Sequence, residues 1–567
     1  MSETLSQTIK RTYRDIRSSP SRSALAVLVV VVLLALLILG IQFIVQQRGS
    51  LAVLNWLNLL LIPLLLVAAA VWLAGTWKRT QLEMARLRDE RAMVESYYDR
   101  LTDLLLSRNL RAAAADDEVA RAARAHTLTT LRQLDGDGRG QIVRFLYESS
   151  LLSAEHPAVD LQSADLAGAN LAGVHLAGVG LRNVNLRDAR LAEAEMPASD
   201  LRQSQLERAD LSRAELGESY LRGAALDDAL LVGARLRGAT LTKASLVGAN
   251  LRDADLSDAN LSGADLTRAD LTGATLKGAR LNAAVLSDAT LDGANLSLAN
   301  LSKATLTGVQ ATATDFSGAN LAGATITGAR LNDSVFGGAI LSEADLTDTE
   351  MREVNLNLAN LRGAVMNQAI LTGANLRDAI MGRVSLSGAD LTGSDLSRAN
   401  LSIANLNRAT LNRANLEEAG LSGADMRAAQ LKGAMLRGAI LRGAILGDAD
   451  LSRADLSKAN LRWANLNNAN LTGADLTEVD LTDAEVSPQV LAKARSVSKV
   501  ERADSAAHYD VVPSAAATRE GPLPTAQTPT YQRPGDNKPS APARPAERPA
   551  VPNPPPARPE GKSGPLP

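Results

Sequence analysis

The chain repeats a leucine at every fifth residue over more than half of its length. The stretch "ANLSGADLTRADLTGATLKGARL", residues 259–281, shows the pattern, with an alanine two places before each leucine. An α-helix turns by about 100° per residue, so leucines five residues apart would spiral around it instead of forming one stripe. Side chains of a strand alternate between its two faces, so an odd spacing would place successive leucines on opposite faces. The period therefore predicts a chain that bends at regular intervals.

The register of the repeat is unbroken from Leu161 to Leu481, which gives 65 central positions. These centres are nearly all apolar, and the position two residues earlier holds alanine or another small residue. The other three positions accept residues of every size and charge, with glycine frequent two places after the centre, where it eases a bend. We therefore expect a solenoid whose core consists of two inward residues per repeat, with the other three residues facing water.

The repeats "ADLAG", "ANLRD", "ADLTG" and "ANLSG" resemble the pentapeptide repeat family, whose motif is A-[DN]-L-x-x. This resemblance covers residues 159–486 and implies an all-β solenoid, a right-handed quadrilateral β-helix with four pentapeptides per coil. About 16 such coils, at a strand spacing of about 4.8 Å, would form a rod on the order of 80 Å long.

The two ends of a solenoid need covers, because exposed strand edges pair with other chains. Residues 127–158 predict a helical N-terminal cap of two short helices that break at the glycines of "DGDGRG", residues 135–140. Residues 487–500 predict a C-terminal cap helix, with Ser487 as the N-cap and Pro488 at the first helical position.

Two apolar runs, 24–45 and 51–75, predict a transmembrane helical hairpin within residues 24–77. Basic residues flank the hairpin on both sides, in 1–23 and again from Lys78 onward, so both termini and the repeats are expected in the cytoplasm. The first run is too long for the apolar core of a signal peptide, and no small-x-small cleavage site follows it. Arginine far outnumbers lysine and alanine is abundant, which favours a bacterial source. Together with the predicted hairpin, this predicts a multi-pass protein of the bacterial inner membrane.

The segments around these domains predict a helical connector at 78–126 and a disordered tail at 501–567, which holds 16 of the 21 prolines. Leu87, Val94 and Leu101 lie seven residues apart in the connector. This spacing fits either a short coiled coil or an amphipathic helix that packs on its own neighbours. A homodimer through the connector or the transmembrane helices is therefore one possible assembly.

No catalytic, metal or cofactor site emerges from the sequence. The chain has no cysteine, and its four histidines are scattered without a second ligand at metal spacing. The "DGDGRG" stretch departs from a calcium loop because Arg139 and Leu146 occupy positions that need oxygen ligands. We therefore expect a protein that is not an enzyme and needs no cofactor.

Two functions from different classes remain open. Some cytosolic members of the resembling family mimic DNA and bind topoisomerases such as gyrase, and a candidate acidic patch for that role consists of Glu343, Asp345, Asp348, Glu350 and Glu353. Residues 159–486 carry 40 Asp and Glu against 30 Lys and Arg. About 80 Å of duplex would carry about 47 negative charges, so this mimic would be weak. The sequence favours a membrane-anchored scaffold that binds an unknown protein partner and no nucleic acid directly.

Outward apolar residues of the repeats are the candidate contacts for that protein partner. Trp463 is the preferred one, because it is the only tryptophan in the repeats and occupies a position otherwise filled mostly by Gly, Asp, Arg or Lys. The other candidates are Tyr220, Ile440 and Ile445, within a wider set of outward apolar residues that includes Leu298, Leu358, Ile403 and Met435.

Overall fold

The computed structural model describes residues 52–114, 117–153 and 157–496. Within these residues, four α-helices and a short 3-10 helix flank the repeats: α1 Ala52–Ser107, the 3-10 helix Leu110–Ala112, α2 Glu118–Leu131, α3 Gly136–Glu148 and α4 Pro488–Leu491. The predicted N-terminus 1–23, the first predicted span 24–45 and the predicted tail 501–567 lie outside the described residues.

The second predicted span, 51–75, overlaps the beginning of α1. Among the helices in the described part of the chain, none combines the length and the apolarity that crossing a membrane requires. The structure therefore gives the predicted transmembrane hairpin no support.

The repeats form a solenoid in which the residue before each centre bridges to the residue 20 positions further along the chain. Parallel bridges of this kind run from Asp165↔Asn185 to Asn465↔Glu485. Leu166 donates its backbone N–H to the carbonyl of Asn185 at 2.8 Å, and Asn185 donates to the carbonyl of Ala164 at 3.0 Å. Twenty residues per coil correspond to four pentapeptides, so the expected four-sided β-helix is present.

The core of the β-helix contains the central residue and the small residue two places before it, both essentially inaccessible to water. Burying each central leucine is worth roughly 1.5–3 kcal/mol. One coil departs from the pattern, because its central position 311 holds alanine, the smallest of all the central residues. The next central residue, Phe316, stacks on Phe336 of the following coil with ring centroids 4.6 Å apart.

The corners of the β-helix share one backbone conformation. Every residue two places after a centre, from Ser163 to Asp483, has a φ between 53° and 72°. Glycine adopts this left-handed region without a steric penalty, which explains why it is frequent there, but Ile403 and Trp463 adopt it as well.

The position one place before the centre is not simply solvent-facing, contrary to expectation. Its Asp or Asn is commonly half-buried and accepts from a corner amide, as Asp265 Oδ1 does from Thr267 N at 2.9 Å.

Helices α2 and α3 cover the first coil, and two glycines of α3 allow that helix to approach the coil closely. A Cβ atom at Gly136 would overlap the carbonyl oxygen of Gly168, and one at Gly140 would overlap that of Asn170. Asp135 caps α3 by accepting from Gly138 N at 2.8 Å. These glycines therefore lie inside a helix and do not break one, which corrects the prediction made from "DGDGRG".

Side chains of the cap take the place of the missing coil before the first one. Arg124 donates to the carbonyls of Asp160 and Gln162 at 2.9 and 2.8 Å. Arg139 donates to the carbonyl of Ala167. Tyr147 donates its hydroxyl to the carbonyl of Ala177 at 3.1 Å. The exposed edge of the first coil is thereby satisfied, which removes a site for edge-to-edge pairing.

Helix α1 packs on this cap through Val94, Tyr97 and Leu101, which are buried in the same core cluster as α2 and α3. The hydroxyls of Tyr97 and Thr127 lie 2.9 Å apart, and burial raises the pKa of Tyr97 well above its usual range. Val94 and Leu101 of the seven-residue pattern thus pack within the chain, whereas Leu87 is exposed.

The C-terminal end of the β-helix is covered by a shorter element than the predicted cap helix. Ser487 accepts from Val490 N as an N-cap, but the helix ends at Leu491 after one turn. The chain then pairs with the last coil, with Gly473 N donating to the carbonyl of Lys493 at 2.9 Å and Leu476 N to that of Ser496 at 3.0 Å. A non-helical segment replaces the predicted helix up to residue 496, because its carbonyls accept from backbone amides of the last coil that would otherwise lack partners.

Candidate protein-interaction face

The 20-residue coil sorts the outward residues into four faces. Face A contains the pentapeptides centred on Leu161 and on every twentieth residue after it, as far as Leu481. Faces B, C and D are defined in the same way from Leu166, Leu171 and Leu176. Because residues 20 apart are bridged, equivalent side chains of one face lie above one another in a column.

Charge is distributed unequally among the four faces. Between residues 159 and 483, face A carries ten Lys and Arg against five Asp and Glu. The corresponding numbers are five against 11 for face B, eight against ten for face C and seven against 13 for face D. Face A is therefore the basic face of a solenoid that is acidic elsewhere.

Exposed large apolar side chains are also concentrated on face A. Six of the 11 on the β-helix lie there: Tyr220, Ile340, Ile380, Ile403, Ile440 and Trp463. Face B has Ile445, face C has Leu230, and face D has Leu298, Leu358 and Met435. Apolar and basic residues together on one rigid face are typical of protein-binding surfaces, in which Trp and Arg contribute most of the binding free energy.

The structure brings two of the four candidate contacts together. Ile440 and Trp463 lie on face A in adjacent coils, since Ile440 bridges to Asn460. Tyr220 belongs to the same face but lies 12 coils away, a distance on the order of 60 Å. Ile445 lies on face B.

Two arginines hold the Trp463 side chain. The guanidinium carbon of Arg442 lies 4.1 Å from the centroid of the indole ring, and that of Arg462 lies 5.1 Å from it. Such contacts are worth about 0.5–1 kcal/mol each at exposed sites, and they fix the ring on the surface while 45% of the residue remains accessible.

A basic apolar patch extends over six coils of face A, from residue 359 to residue 463. Its outward residues include Arg362, Arg383, Arg442 and Arg462 and no carboxylate. The first three form no ion pair with any carboxylate in the described part of the chain, whereas Arg462 lies 3.8 Å from Asp480 at the edge of the patch. The positive charges of Arg362, Arg383 and Arg442 are therefore available to a partner.

A glycine notch crosses the middle of the basic apolar patch. The face A pentapeptide at 419–423 has only Gly420, Ser422 and Gly423 as its outward residues. A Cβ at Gly423 would lie 3.8 Å from Cγ1 of Ile403, so the missing side chain leaves a depression next to that isoleucine.

Comparison with known proteins identifies the fold family. The family model described as Pentapeptide repeats matches residues 158–191, 193–402 and 404–483 in overlapping segments. The chain belongs to the pentapeptide repeat family. No match was found among the curated proteins.

The pentapeptide repeat protein is similar to several solved structures. HetL of the cyanobacterium Nostoc sp. strain PCC 7120, described as involved in heterocyst differentiation regulation, is 30% identical over 53% of this chain and 96% of HetL, with a TM-score of 0.17. AT2G44920 of the Arabidopsis thaliana thylakoid lumen is 34% identical over 18% of this chain and 71% of its own, with a TM-score of 0.16. QnrB1, a plasmid-mediated fluoroquinolone resistance protein, is 18% identical over 35% of this chain and 92% of its own, with a TM-score of 0.19.

The candidate acidic residues of this pentapeptide repeat protein do not share one surface. Glu343 lies on face A, Asp345 and Asp348 on face B, and Glu350 and Glu353 on face C. Asp345 accepts from Thr347 N at 3.0 Å, and Glu350 lies 3.7 Å from Arg330. Among the described residues there is no group of three or more His, Asp or Glu that could hold a metal ion.

Sequence reasoning missed Ile340 and Ile380 and the segregation of charge on face A. Both isoleucines occupy the position before the centre, in the same column as Ile440. Sorting the outward residues by a period of 20 finds this column, whereas a period of five does not.

Proposed function

We propose that this pentapeptide repeat protein is a non-enzymatic scaffold that binds a partner protein through the outward residues of its β-helix. The observation that carries the proposal is the basic apolar patch, where Ile440 and Trp463 are exposed and Arg442, which stacks on Trp463, has no carboxylate partner among the described residues. Repeat proteins use extended, rigid surfaces of this kind for binding.

The apolar runs 24–45 and 51–75 support a second part of the proposal, anchoring of the scaffold to a bacterial inner membrane. Basic residues on both flanks favour cytoplasmic termini and a cytoplasmic β-helix. Helix α1 continues without a break from residue 52 to the N-terminal cap, so it would fix the distance between the anchor and the first coil. Reporter fusions at Met1 and Pro567 test this orientation, and activity of a periplasm-dependent reporter at either end would contradict it.

DNA mimicry of the kind that would modulate a topoisomerase such as gyrase has less support. The five candidate acidic residues lie on three faces, and arginines are interspersed along faces B, C and D. A rod that mimics a duplex needs a continuous negative surface.

Site-specific photo-crosslinking of the full chain in its native cells tests the scaffold. A photoreactive residue replaces Trp463 in one variant and Arg453 in a control, which occupies the same corner position on face C. We expect a discrete protein adduct from position 463 and none from position 453. Absence of an adduct at 463, or equal adducts at both positions, would remove the support for binding through this face.

A further inference from the structure

We infer that the partner of this scaffold presents an acidic segment that also carries apolar side chains, and that this segment docks on the basic apolar patch. The inference rests on the proposed function, and it adds the chemical character of the partner and the place where the partner binds.

Charge is the first reason for an acidic occupant. Over residues 359–463, face A has four arginines and no carboxylate, while the other three faces together have nine basic and nine acidic residues. The local excess of positive charge is thus confined to one face. Arg362, Arg383 and Arg442 are exposed and make no ion pair with the described carboxylates, so a partner would not have to break an existing pair. Complementary charge raises the association rate and selects the partner.

The arrangement of apolar residues is the second reason. Ile380 and Ile403 form one apolar pair in adjacent coils, and Ile440 and Trp463 form a second pair in the same two positions, 60 residues later. Three coils separate equivalent members, which corresponds to about 14 Å. The glycine notch lies in the coil between the two pairs.

This shape fits a protein segment better than a polyanion or a bilayer. Two apolar pairs that flank a notch offer a site for an inserted side chain, which a flat membrane surface lacks. Nucleic-acid phosphates would leave the four exposed apolar side chains without apolar partners, and four arginines neutralise few phosphates. A segment with carboxylates beside apolar side chains satisfies both features of the patch.

Binding of model peptides to the detergent-purified full chain tests the inference. The probe is a fluorescent 21-residue amphipathic helix of Glu and Leu, and its control has Gln in place of each Glu. We expect the Glu peptide to bind at least tenfold more tightly than the Gln peptide, with an affinity that falls as salt rises. Failure of the Glu peptide to bind, or equal binding of the two peptides, would overturn the inference.

Matched variants locate the site. Arg383→Glu with Arg442→Glu should weaken binding at least tenfold, whereas Arg413→Glu with Lys432→Glu, at equivalent positions on face C, should change it less than twofold. Gly420→Gln fills the notch without changing the charge, and it should weaken binding several-fold. A Cβ at Gly420 meets its neighbours no closer than 3.8 Å, so this variant should fold normally. Equal losses in the two charge variants, or no loss in the face A variants, would contradict the assigned site.

Two further probes separate the other classes of ligand. Phosphatidylglycerol vesicles and a 20-base-pair duplex are tested against the same variants. Tighter binding of either probe than of the Glu peptide, with the same dependence on Arg383 and Arg442, would replace the acidic protein segment by a membrane or a nucleic acid. An adduct at position 463 in cells without binding of the Glu peptide would leave the scaffold standing and remove only this inference.

Discussion

The guanidinium carbon of Arg442 lies 4.1 Å above the indole ring of Trp463, and the two residues belong to adjacent coils of face A. The contact connects the two coils outside the core. It also holds an aromatic ring in one place on the surface, which lowers the entropy that a partner must remove when it binds.

Replacing Trp463 with alanine should affect binding and leave stability nearly unchanged. The side chain is exposed, so its loss removes only surface contacts worth about 0.5–1 kcal/mol each. Leu358→Ala is the control, since Leu358 is an exposed apolar residue at the same corner position on face D. We expect similar thermal midpoints for both variants by circular dichroism and a tenfold loss of Glu-peptide binding for Trp463→Ala alone. A large drop in the midpoint of Trp463→Ala would instead assign the residue a structural role.

Deletion of one complete coil should be tolerated, while a slightly shorter deletion should not. Removing residues 259–278 keeps every later residue in its column, because the ladder joins residues 20 apart. Removing residues 259–276 leaves two extra residues, and therefore a 22-residue coil, at the junction and displaces the inward residues around it. Hydrogen exchange of the surrounding coils measures the difference, and equal protection in the two deletions would contradict the continuous ladder.

Alanine at Gly140 should destabilise the cap, although alanine usually favours a helix by up to about 1 kcal/mol over glycine. The effect of the substitution on stability is reversed at this position, because the new Cβ atom would overlap the carbonyl oxygen of Asn170. Gly138→Ala is the matched control in the same helix, since its Cβ would meet only the Leu134 side chain and Asp135 Oδ1, at 3.2 Å or more. We expect faster proteolysis at residues 118–148 for Gly140→Ala than for Gly138→Ala.

Phe316 and Phe336 should be energetically coupled. Truncation of either ring to alanine should cost about 3–5 kcal/mol, as other core Phe→Ala changes do. The rings are stacked at 4.6 Å, so the double variant should lose less than the sum of the single variants by about 0.5–1.5 kcal/mol. Unfolding by denaturant, followed through a probe in these coils, measures the cycle, and strict additivity would show that the stack adds nothing beyond burial.

Acid should release the C-terminal segment from the last coil. The Ser496 hydroxyl, 2.5 Å from Asp475, holds the pKa of that carboxyl below its usual range, with further help from Thr477. A lowered pKa in the folded state means that the carboxylate stabilises docking above its unfolded pKa of about 4, and that this contribution disappears as pH falls through the folded value. The protection of the amides at 488–496 against hydrogen exchange, relative to their intrinsic rates at the same pH, should therefore fall below about pH 4. Ser496→Ala should raise the pKa of Asp475 measured by NMR, and an unchanged pKa would refute the contact.

The sequence predicts the core of the β-helix well because the rule is local. Leu161 and its 64 successors each bury a side chain at a fixed place in a short unit, so a period of five contains the necessary information. The position of Gly140 against Asn170 could not be predicted in this way, since it depends on how a helix meets a coil elsewhere in the chain. The period of five predicts only that the Asp or Asn before the centre faces water. Its role follows from an amide that the ladder leaves without a partner, as at Asp265.

The clustering of residues on face A depends on the length of a coil, which a period of five does not contain. The sequence predicts that Trp463 and Ile440 each face outward, but their placement in adjacent coils of one face depends on the number of repeats per coil. Four repeats per coil, which the family resemblance implies, place Ile340, Ile380 and Ile440 in one column with a period of 20. Weighing outward residues one at a time conceals such a column, because single exposed apolar residues are common on protein surfaces.

Arg124, Arg139 and Tyr147 donate to carbonyls on the N-terminal edge of the first coil, and each coil in turn donates backbone amides, such as that of Leu166, to carbonyls of the coil that follows it. A nascent chain that has completed its N-terminal helices therefore already holds a template on which the next 20 residues can settle. Contacts across 20 residues close short loops, which favours fast folding. We expect the solenoid to grow directionally as the ribosome delivers it, one coil at a time, without waiting for the C-terminus to emerge.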